Sequence, residues 1–445
     1  MGHPLAPHQR RALDFFDTHT GGMLIYEAGT GKTICALAWI HSALVRGIIE
    51  NALILCPAML VPRWWAEVDK MTDFEDYTSF DVELVRSALT VHSLSSTWET
   101  TRQTIRHRDG TVSEKRGVKL RDALQGPYDV VFVDESHRLG SPTTNVTKAC
   151  LDLAKRVPRR FCMSGTPDLG IYTKLYGQIQ FCFPGTWKSF TEFKGRYVLQ
   201  FDNFHNPRRY DVEACEALKR RVGIVAVLSE CFDMPSKIDT VVPCPLASRK
   251  AYKDVLAGRV DQYGLTVTAS GVLPQKSLQI VSGHIRGDTE THRIKTSKTE
   301  VLTDLLDGYD GKVVIVCKFR ESISIVSEAL RTLDMAFHVF DGDSHDPTWQ
   351  AFQTDDSKAI VVQYQKAIGI DLYSACVMVL YEPTFSALEL EQTRRRIWRK
   401  GQDRPCRYYY LSTPDTLEER CWRSVRDGAD VSADLLETWA KEVNK

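Results

Sequence analysis

The sequence has no excess of charge of either sign and no long apolar run. Its 57 lysines and arginines balance 57 aspartates and glutamates over 445 residues, which excludes a generally basic coat for nucleic acid but not a local basic track. No apolar run approaches the roughly 18 residues that cross a bilayer, and the initial MGHPLAPHQRR lacks the apolar core of a signal peptide. These absences favour a soluble protein of the cytoplasm, or of the nucleus in a eukaryotic cell.

Paired cysteine motifs are also missing. The 12 cysteines are scattered singly, no C-x-x-C pair occurs, and most lie within apolar runs such as LILCP and VVIVCKF. Zinc sites and disulfide frameworks usually show paired or regularly spaced cysteines. The pattern therefore predicts buried, reduced thiols.

The sequence does contain a recurring order of apolar strands and helices. Runs such as MLIYEAG, YDVVFVDES, KVVIVCKF and CVMVLYEP alternate with helix-like stretches, in two groups along the chain. Continuous apolar strands that alternate with helices are typical of parallel sheets covered on both faces. The predicted fold class is α/β, with parallel-sheet lobes over residues 1–184 and 293–445 and a mainly helical insert over 185–292.

One glycine-rich segment, LIYEAGTGKT, follows a predicted strand and opens a helix. Gly29 and Gly31 allow a tight turn in which backbone N–H groups, including that of Thr30, face an anion at the positive end of the helix dipole. Lys32 is suited to the β- and γ-phosphates of a nucleotide, and the Thr33 hydroxyl is suited to Mg²⁺. The strict G-x-x-x-x-G-K-[ST] pattern is broken because Tyr26 occupies the first glycine position.

A second segment, VVFVDESH, predicts a buried strand that ends in two adjacent carboxylates. Asp134 at the strand end is suited to a bound Mg²⁺, and Glu135 is placed to polarise an attacking water. A surface turn with two solvated acids is the alternative. A hydrophobic strand that delivers both acids downstream of the lysine loop favours the catalytic interpretation.

With these two segments in place, the sequence resembles the Snf2-like group of superfamily 2 helicases, and compact phage-type branch-migration helicases among them. The matching segments follow one another in the family's order: APHQRRALDFF, YEAGTGKT, LILCPAMLVPRWWAEV, VHSLSS, VDESHRLGSPTT, MSGTP, SKTEVLTDLL, KVVIVCKFRESISIV, FDGDSHDPTWQAFQ, QKAIGIDLYSA, QTRRRIWRKGQ and TLEERCWRSV. The resemblance implies two RecA-like lobes, ATP and Mg²⁺ as cofactors, and DNA as partner.

The resemblance also assigns roles at the nucleotide. It implies that Gln9 contacts the adenine and that Gln392 and Gly369 belong to the ATP site of the second lobe. Arg396 and Arg399 of QTRRRIWRKGQ would reach across to the phosphates. Three residues apart on a helix, these two arginines would share one face, and their guanidinium forks suit a phosphate chain.

Coupling and DNA contacts are likewise implied by the matching segments. Ser164 and Thr166 of SGTP, and Asp371 of IGIDL, would couple hydrolysis to movement, although Asp371 replaces the asparagine common in the family. The implied contacts to DNA phosphates are these: Arg63, Trp64, Ser93, Lys318 and Lys366. If PRWWAE is helical, only one of its two tryptophans can face inward.

The segment 101–121 is unusually basic, with seven lysines and arginines against two acids. Its Asp109-Gly110 pair predicts a hairpin turn. Arg106 and Arg108 are therefore candidates for duplex contact in a strand-separating pin, and a charged surface loop is the equal alternative.

The leading functional hypothesis is ATP-driven translocation on double-stranded or branched DNA, with branch migration, fork remodelling or unwinding as the outcome. A remodeller that displaces proteins from DNA, an RNA-dependent unwinding enzyme and a DNA-binding scaffold without ATPase activity are the alternatives. The intact Lys32, Asp134, Glu135, Arg396 and Arg399 argue against the scaffold.

Overall fold

The computed structural model describes residues 4–73, 79–106, 112–202, 205–265, 272–342, 348–367, 370–431 and 436. The chain forms two compact units, Met1–Asp233 and Met234–Lys445. Over the described ranges, no helix is long and apolar enough to cross a membrane.

The first unit is built on a wholly parallel sheet in the order β10-β1-β7-β6-β2-β3. Its strands are β1 (Gly21–Tyr26), β2 (Ala52–Cys56), β3 (Leu89–Ser93), β4 (Trp98–Arg106), β5 (Val112–Leu120), β6 (Val130–Asp134), β7 (Arg159–Met163), β8 (Val198–Phe201), β9 (Pro207–Tyr210) and β10 (Gly223–Ala226). Its helices are α1 (Pro7–Thr18), α2 (Lys32–Val45), α3 (Val61–Asp69), α4 (Val82–Ala88), α5 (Asn145–Ala154), α6 (Leu175–Cys182), α7 (Phe190–Tyr197), α8 (Val212–Val222) and α9 (Leu228–Cys231).

Both faces of this sheet are buried, which explains why its strands are apolar throughout. Along β1, Met23 and Ile25 belong to one core cluster, whereas Leu24 and Tyr26 belong to another on the opposite face. Successive strand residues point to opposite faces, so that a strand covered on both sides needs apolar residues at every position.

The second unit contains another wholly parallel sheet, in the order β11-β18-β17-β14-β16-β15. Its strands are β11 (Lys237–Pro243), β12 (His284–Arg286), β13 (Thr291–Arg293), β14 (Val313–Cys317), β15 (Phe337–Phe340), β16 (Ala359–Gln363), β17 (Val377–Leu380) and β18 (Cys406–Ser412). Its helices are α10 (Arg249–Leu256), α11 (Val272–Val281), α12 (Lys298–Leu306), α13 (Arg320–Thr332), α14 (Thr348–Thr354), α15 (Tyr364–Ala367), α16 (Ala387–Arg394) and α17 (Leu417–Arg426). The predicted pair of parallel-sheet α/β lobes is confirmed.

Residues 185–292 are divided between the two units. Strand β10 pairs with β1 in the first sheet, and β11 pairs with β18 in the second. Trp187, Phe193 and Tyr197 are buried in the core of the first unit, so these aromatics pack rather than face a partner. The boundaries at 184/185 and 292/293 stay a prediction.

Two further predictions from sequence can be compared with the structure. All 12 cysteines are free, and all but Cys231 and Cys376 are buried, which confirms the predicted burial for ten of them. The basic segment forms the antiparallel pair β4–β5, with Trp98 opposite Leu120 and Arg106 opposite Val112. The two paired strands of the predicted hairpin are therefore present, while Asp109 and Gly110, at which the turn is predicted, lie outside the described residues.

Candidate nucleotide site

The glycine-rich loop joins the end of β1 to the start of α2. Gly29 and Gly31 have φ angles of 90° and 88°, a region that side chains with a Cβ rarely adopt. A Cβ on Gly31 would stand 2.3 Å from Nε2 of Gln9, so Gln9 reaches the loop at the point where the side chain is absent. The loop thus delivers Lys32 and Thr33 as the first two residues of α2.

Lys32 is folded back over the loop. Its Nζ donates to the carbonyl of Tyr26 at 2.8 Å and to that of Glu27 at 3.4 Å. Its charge also lowers the pKa of Asp134, so the ammonium and that carboxylate are electrostatic neighbours. Lysine and acid therefore meet at one edge of the sheet, where the carboxyl ends of parallel strands commonly form ligand sites.

The start of α1 lies against the same loop. Nε2 of Gln9 donates to the carbonyl of Thr30 at 3.2 Å, and Nε2 of His8 lies 2.9 Å from that oxygen. Oε1 of Gln9 accepts from the backbone N–H of Ala6 at 2.9 Å. The structure brings Gln9 to the phosphate loop, and contact with an adenine stays a prediction.

Tyr26, which breaks the loop consensus, is fully buried. Its hydroxyl donates to the carbonyl of His8 at 2.5 Å, and burial is the main cause that raises its pKa to about 12. The substitution therefore ties β1 to α1 from beneath the loop. Sequence reasoning registered the departure from the pattern without this structural role.

Asp134 ends β6 and is 7% exposed. Its Oδ1 accepts the backbone N–H of Glu135 at 2.9 Å, and its Oδ2 accepts the indole N–H of Trp64 at 3.2 Å. Burial, reinforced by the adjacent Glu135, raises its pKa to about 6, and Lys32 and the indole oppose the rise.

Glu135 adopts a left-handed backbone conformation with φ 49°, which is unfavourable for a residue with a Cβ. This turn takes its carboxylate out of the strand direction, and 29% of the side chain remains exposed. Strain of this kind is common where a side chain must be aimed at a ligand.

His137 connects the acid pair with the SGTP segment. Its Nδ1 lies 3.3 Å from both Oε2 of Glu135 and Oγ of Ser164, and Ser164 Oγ accepts the N–H of Thr166 at 3.2 Å. The predicted coupling residues Ser164 and Thr166 are thus in one chain of contacts with Glu135. Sequence reasoning missed His137, whose signal was its place two residues after the second acid.

The arginine-rich segment of the second unit is not one continuous helix. Helix α16 ends at Arg394, so Arg396 and Arg399 follow it, and the prediction that they share a helix face is wrong. Arg396, Ile397 and Trp398 are all buried in the turns that follow α16.

Arg396 and Arg399 are both held by the segment that contains Asp371. Arg396 Nη1 donates to the carbonyl of Ile370 at 3.3 Å, and Arg399 forms an ion pair with Asp371. The aspartate that replaces the family's asparagine therefore holds one of the two predicted arginine fingers. Gln392 supplies its backbone carbonyl to Nε of Arg396 at 3.0 Å, and Gly369 lies outside the described residues.

The neighbouring cations are engaged within the second unit. Arg394 Nη2 lies 2.9 Å from both carboxylate oxygens of Asp239, and Nε of Arg395 donates to Glu391 at 3.1 Å. Both guanidinium groups therefore form ion pairs within the second unit.

Comparison with known proteins now decides the family. A family model described as SNF2-related domain matches residues 8–304, and one described as Helicase conserved C-terminal domain matches residues 297–401. The chain belongs to the SNF2-related family.

Individual relatives are distant. The SNF2-related chain is 22% identical over 463 residues to the DNA repair and recombination protein RDH54 of Saccharomyces cerevisiae, which covers 90% of this chain and 48% of that protein. It is 22% identical over 499 residues to the DNA repair and recombination protein RAD54-like of Gallus gallus, which covers 94% of this chain and 66% of that protein. The chain thus spans about half the length of the yeast relative.

A similar solved structure is described as the Sulfolobus solfataricus SWI2/SNF2 ATPase core in complex with dsDNA. The TM-score is 0.42 at 20% identity, and the alignment covers 100% of this chain and 95% of that one.

Two residues predicted to bind DNA are placed elsewhere in this SNF2-related chain. Trp64 is 2% exposed and holds Asp134, so its ring is enclosed in the core and not open to a base. Nζ of Lys318 is buried 3.2 Å from the centre of the Phe385 ring, and burial lowers its pKa to about 8. Both predictions are corrected for one reason, because a residue's type and motif do not report its depth.

The remaining predicted DNA residues stay predictions. Arg63 is half-buried in the first turn of α3, Ser93 ends β3 with its Oγ 2.8 Å from that of Ser95, and Lys366 is half-buried in α15. Arg106 ends β4, and Arg108 lies outside the described residues.

A buried ionic network in the second unit was missed by sequence reasoning. Nζ of Lys298 pairs with Glu418 and donates to the carbonyl of Tyr381, and the Lys298 and Glu418 side chains are fully enclosed. Glu382 lies nearby, where it accepts from the Ser322 hydroxyl and from the N–H of Lys318. The segments SKTEVLTDLL and TLEERCWRSV were recognised by resemblance, but nothing local to either predicts that they meet.

Proposed function

We propose that this SNF2-related chain is a DNA-dependent ATPase that uses ATP and Mg²⁺ to move along double-stranded or branched DNA. The observation that carries the proposal is the juxtaposition of Lys32 and the Asp134–Glu135 pair at the carboxyl edge of one parallel sheet. DNA is proposed as the track because the curated relatives are named as DNA repair and recombination proteins. The basic β4–β5 hairpin agrees with it.

Asp134 and Thr33 have the chemistry to hold Mg²⁺. Carboxylate and hydroxyl oxygens are the hard donors that Mg²⁺ prefers, and in phosphoryl-transfer sites it uses one or two protein ligands together with phosphate oxygens. In the described part of the chain, no group of three or more acidic, histidine or cysteine side chains could hold an ion alone. A site shared with a nucleotide fits this set, and the ion would neutralise charge on the phosphates.

The other residues of the first unit divide the remaining work. Lys32 would leave its carbonyl partners and bind the β- and γ-phosphates, and Glu135 would orient the attacking water. The remaining proposed nucleotide contacts come from Gln9, which would contact the adenine, and from the glycine loop and the start of α2: Gly29, Thr30, Gly31 and Thr33.

The second unit would contribute positive charge where negative charge develops on the phosphates in the transition state. Arg396 and Arg399 are the proposed fingers, which in related phosphoryl-transfer systems raise the rate by about 10³-fold or more. Arg399 would exchange Asp371 for a phosphate oxygen, and Gln392 and Gly369 would line the same site. Binding and loss of the γ-phosphate would then switch the two units between two conformational states. Ser164, Thr166 and Asp371 lie in the segments proposed to couple this change to movement on DNA.

The proposal is tested by ATP hydrolysis with no nucleic acid, single-stranded DNA, duplex, a four-way junction and RNA. Duplex or junction DNA should raise turnover at least about tenfold, and Lys32→Ala should abolish it without loss of folding. Equal rates with and without DNA, or stimulation by RNA alone, would contradict the proposal. A translocation assay, such as displacement of a triplex-forming strand, separates movement from hydrolysis.

The hairpin provides a test of the finer function. Replacement of residues 106–118 by a short glycine–serine turn should impair junction movement far more than DNA-stimulated hydrolysis. Equal loss of both activities would contradict a strand-separating pin.

A further inference from the structure

Helix α3 and the end of β6 meet at one edge of the first sheet. Strands β2 and β6 are neighbours, with Leu55 opposite Val133, so the segments that follow them emerge side by side. Helix α3 begins shortly after β2 and brings the Trp64 ring under the carboxylate of Asp134. Both side chains are more than nine-tenths buried.

Each oxygen of the Asp134 carboxylate has one donor. Oδ2 accepts the indole N–H of Trp64 at 3.2 Å, and Oδ1 accepts the backbone N–H of Glu135 at 2.9 Å. Two donors at opposite ends define the plane of the group. A carboxylate offers about four lone-pair sites, so the ones that remain point in known directions.

We infer that Trp64 is a positioning residue of the ATP site, whose indole N–H sets the orientation in which Asp134 meets the metal–nucleotide. The inference rests on the proposed function, because Asp134 is the proposed metal ligand. Partners that hydrogen-bond a ligating carboxylate commonly change metal affinity or activity by about 10–100-fold when they are removed.

Trp65 is the natural comparison on the same helix. It is half-buried, packs at the edge of the core, and has the guanidinium of Arg86 5.6 Å from its ring centre. The two adjacent tryptophans therefore share a chemical type and a helix but differ in their contact with Asp134. Packing alone would require only a large ring at position 64, whereas a buried indole N–H also needs an acceptor.

The sharpest experiment replaces Trp64 by β-(3-benzothienyl)alanine, in which sulfur takes the place of the N–H while the ring shape is kept. Binding of a fluorescent ATP analogue is titrated with MgCl₂ and measured separately in EDTA. The half-saturating Mg²⁺ concentration should rise about tenfold or more, and affinity in EDTA should stay within about twofold, because only the donor to Asp134 is lost. The same replacement at Trp65 should shift neither quantity.

An unchanged Mg²⁺ titration at position 64, or an equal shift at both positions, would overturn the inference. Trp64→Phe, checked by thermal unfolding, is the second variant and should show the same selective shift. In an Asp134→Ala background, the replacement at position 64 should cause no further change in the Mg²⁺ titration, since the effects of coupled residues are non-additive. An undiminished change in that background would show that Trp64 does not act through Asp134. If the wild type hydrolyses no ATP, the proposed function fails, while the Mg²⁺–nucleotide titration still tests this contact.

Discussion

Both units place carboxylates just beyond the ends of central strands, but they treat the charge differently. In the first unit Glu135 follows β6 with 29% of its side chain exposed, and Nδ1 of His137 lies 3.3 Å from its Oε2. In the second unit Glu382 follows β17 and is fully buried, with Ser322 and the Lys318 N–H as donors. Glu418 is equally buried and is compensated by Lys298 and the N–H of Thr413.

The difference distinguishes structural acids from those available for chemistry. Burial raises the pKa of both Glu382 and Glu418, and Lys298 opposes that rise for each of them. The carboxylates of Glu382 and Glu418 bond to buried groups from other segments of the chain, so these two acids hold the segments together. Glu135 sits on a strained turn with part of its carboxylate open, which is the arrangement a water-orienting base requires.

The largest expected effect concerns the acid that is open. Glu135→Gln should lower ATP turnover by about 10³-fold, because the amide cannot accept a proton from the attacking water. Thermal unfolding should be unchanged, since no buried charge loses its partner. Steady-state hydrolysis with saturating DNA measures the loss, and a variant that keeps more than a tenth of the rate would remove Glu135 from the proposed role.

The next prediction concerns the free energy of unfolding, which should depend on the cation that pairs with the buried Glu418. Lys298→Met leaves Glu418 buried without its cation and should lower the free energy of unfolding by about 3–5 kcal/mol. Urea unfolding measures the change. Lys358→Met is the matched control, because Lys358 and Asp310 form an exposed pair that should be worth less than about 1 kcal/mol. Similar losses in the two variants would argue against a structural network.

A third prediction concerns pH and the second unit. His284 is 1% exposed, its Nδ1 has no hydrogen-bond partner among the described residues, and burial, with Arg293 and Lys276 nearby, lowers its pKa to about 3. Its pKa in the unfolded chain is about 6.5. The folded state therefore binds fewer protons, so its contribution to stability is full above about pH 6.5 and declines as the pH falls towards 3.

As the pH falls from 6.5 to 5, His284 should lower the free energy of unfolding by about 2 kcal/mol. His284→Leu should remove that part of the pH dependence while leaving stability at pH 7.5 nearly unchanged or higher. Urea unfolding of wild type and variant at both pH values gives the difference. A variant with the wild-type pH dependence would show that His284 does not cause it.

The smallest expected effect belongs to the first unit. Tyr26→Phe removes the hydroxyl that donates to the His8 carbonyl and should lower the free energy of unfolding by about 1 kcal/mol. The loss of ATP turnover should be orders of magnitude smaller than the loss in the Glu135 variant, because the tyrosine lies beneath the loop. A collapse of turnover in this variant would give Tyr26 a direct part in catalysis.

The nucleotide loop was predictable because its geometry is local. Gly29, Gly31, Lys32 and Thr33 are contiguous, and the strand before them and the helix after them follow from apolar periodicity. The acid pair was predictable for the same reason, since Asp134 ends β6 and Glu135 follows it directly. The alternation of apolar strands and helices was also sufficient for the two parallel sheets.

The positions of Trp64 and Lys318 were not predictable from their motifs. Their depth depends on neighbours that arrive from other parts of the chain, Asp134 for one and Phe385 for the other. The end of α16 at Arg394 was missed because helix spacing was assumed to continue through Arg399.

The sequence by itself determined the order of strands and helices, the glycine loop and the acids that follow β6, because each depends on residues close together in the chain. Only the tertiary structure decided which charges are compensated: Asp134 by the Trp64 indole, Arg399 by Asp371, and Glu418 by Lys298. Electrostatic and hydrogen-bond energies depend on distance and burial, and these are set where distant segments pack together.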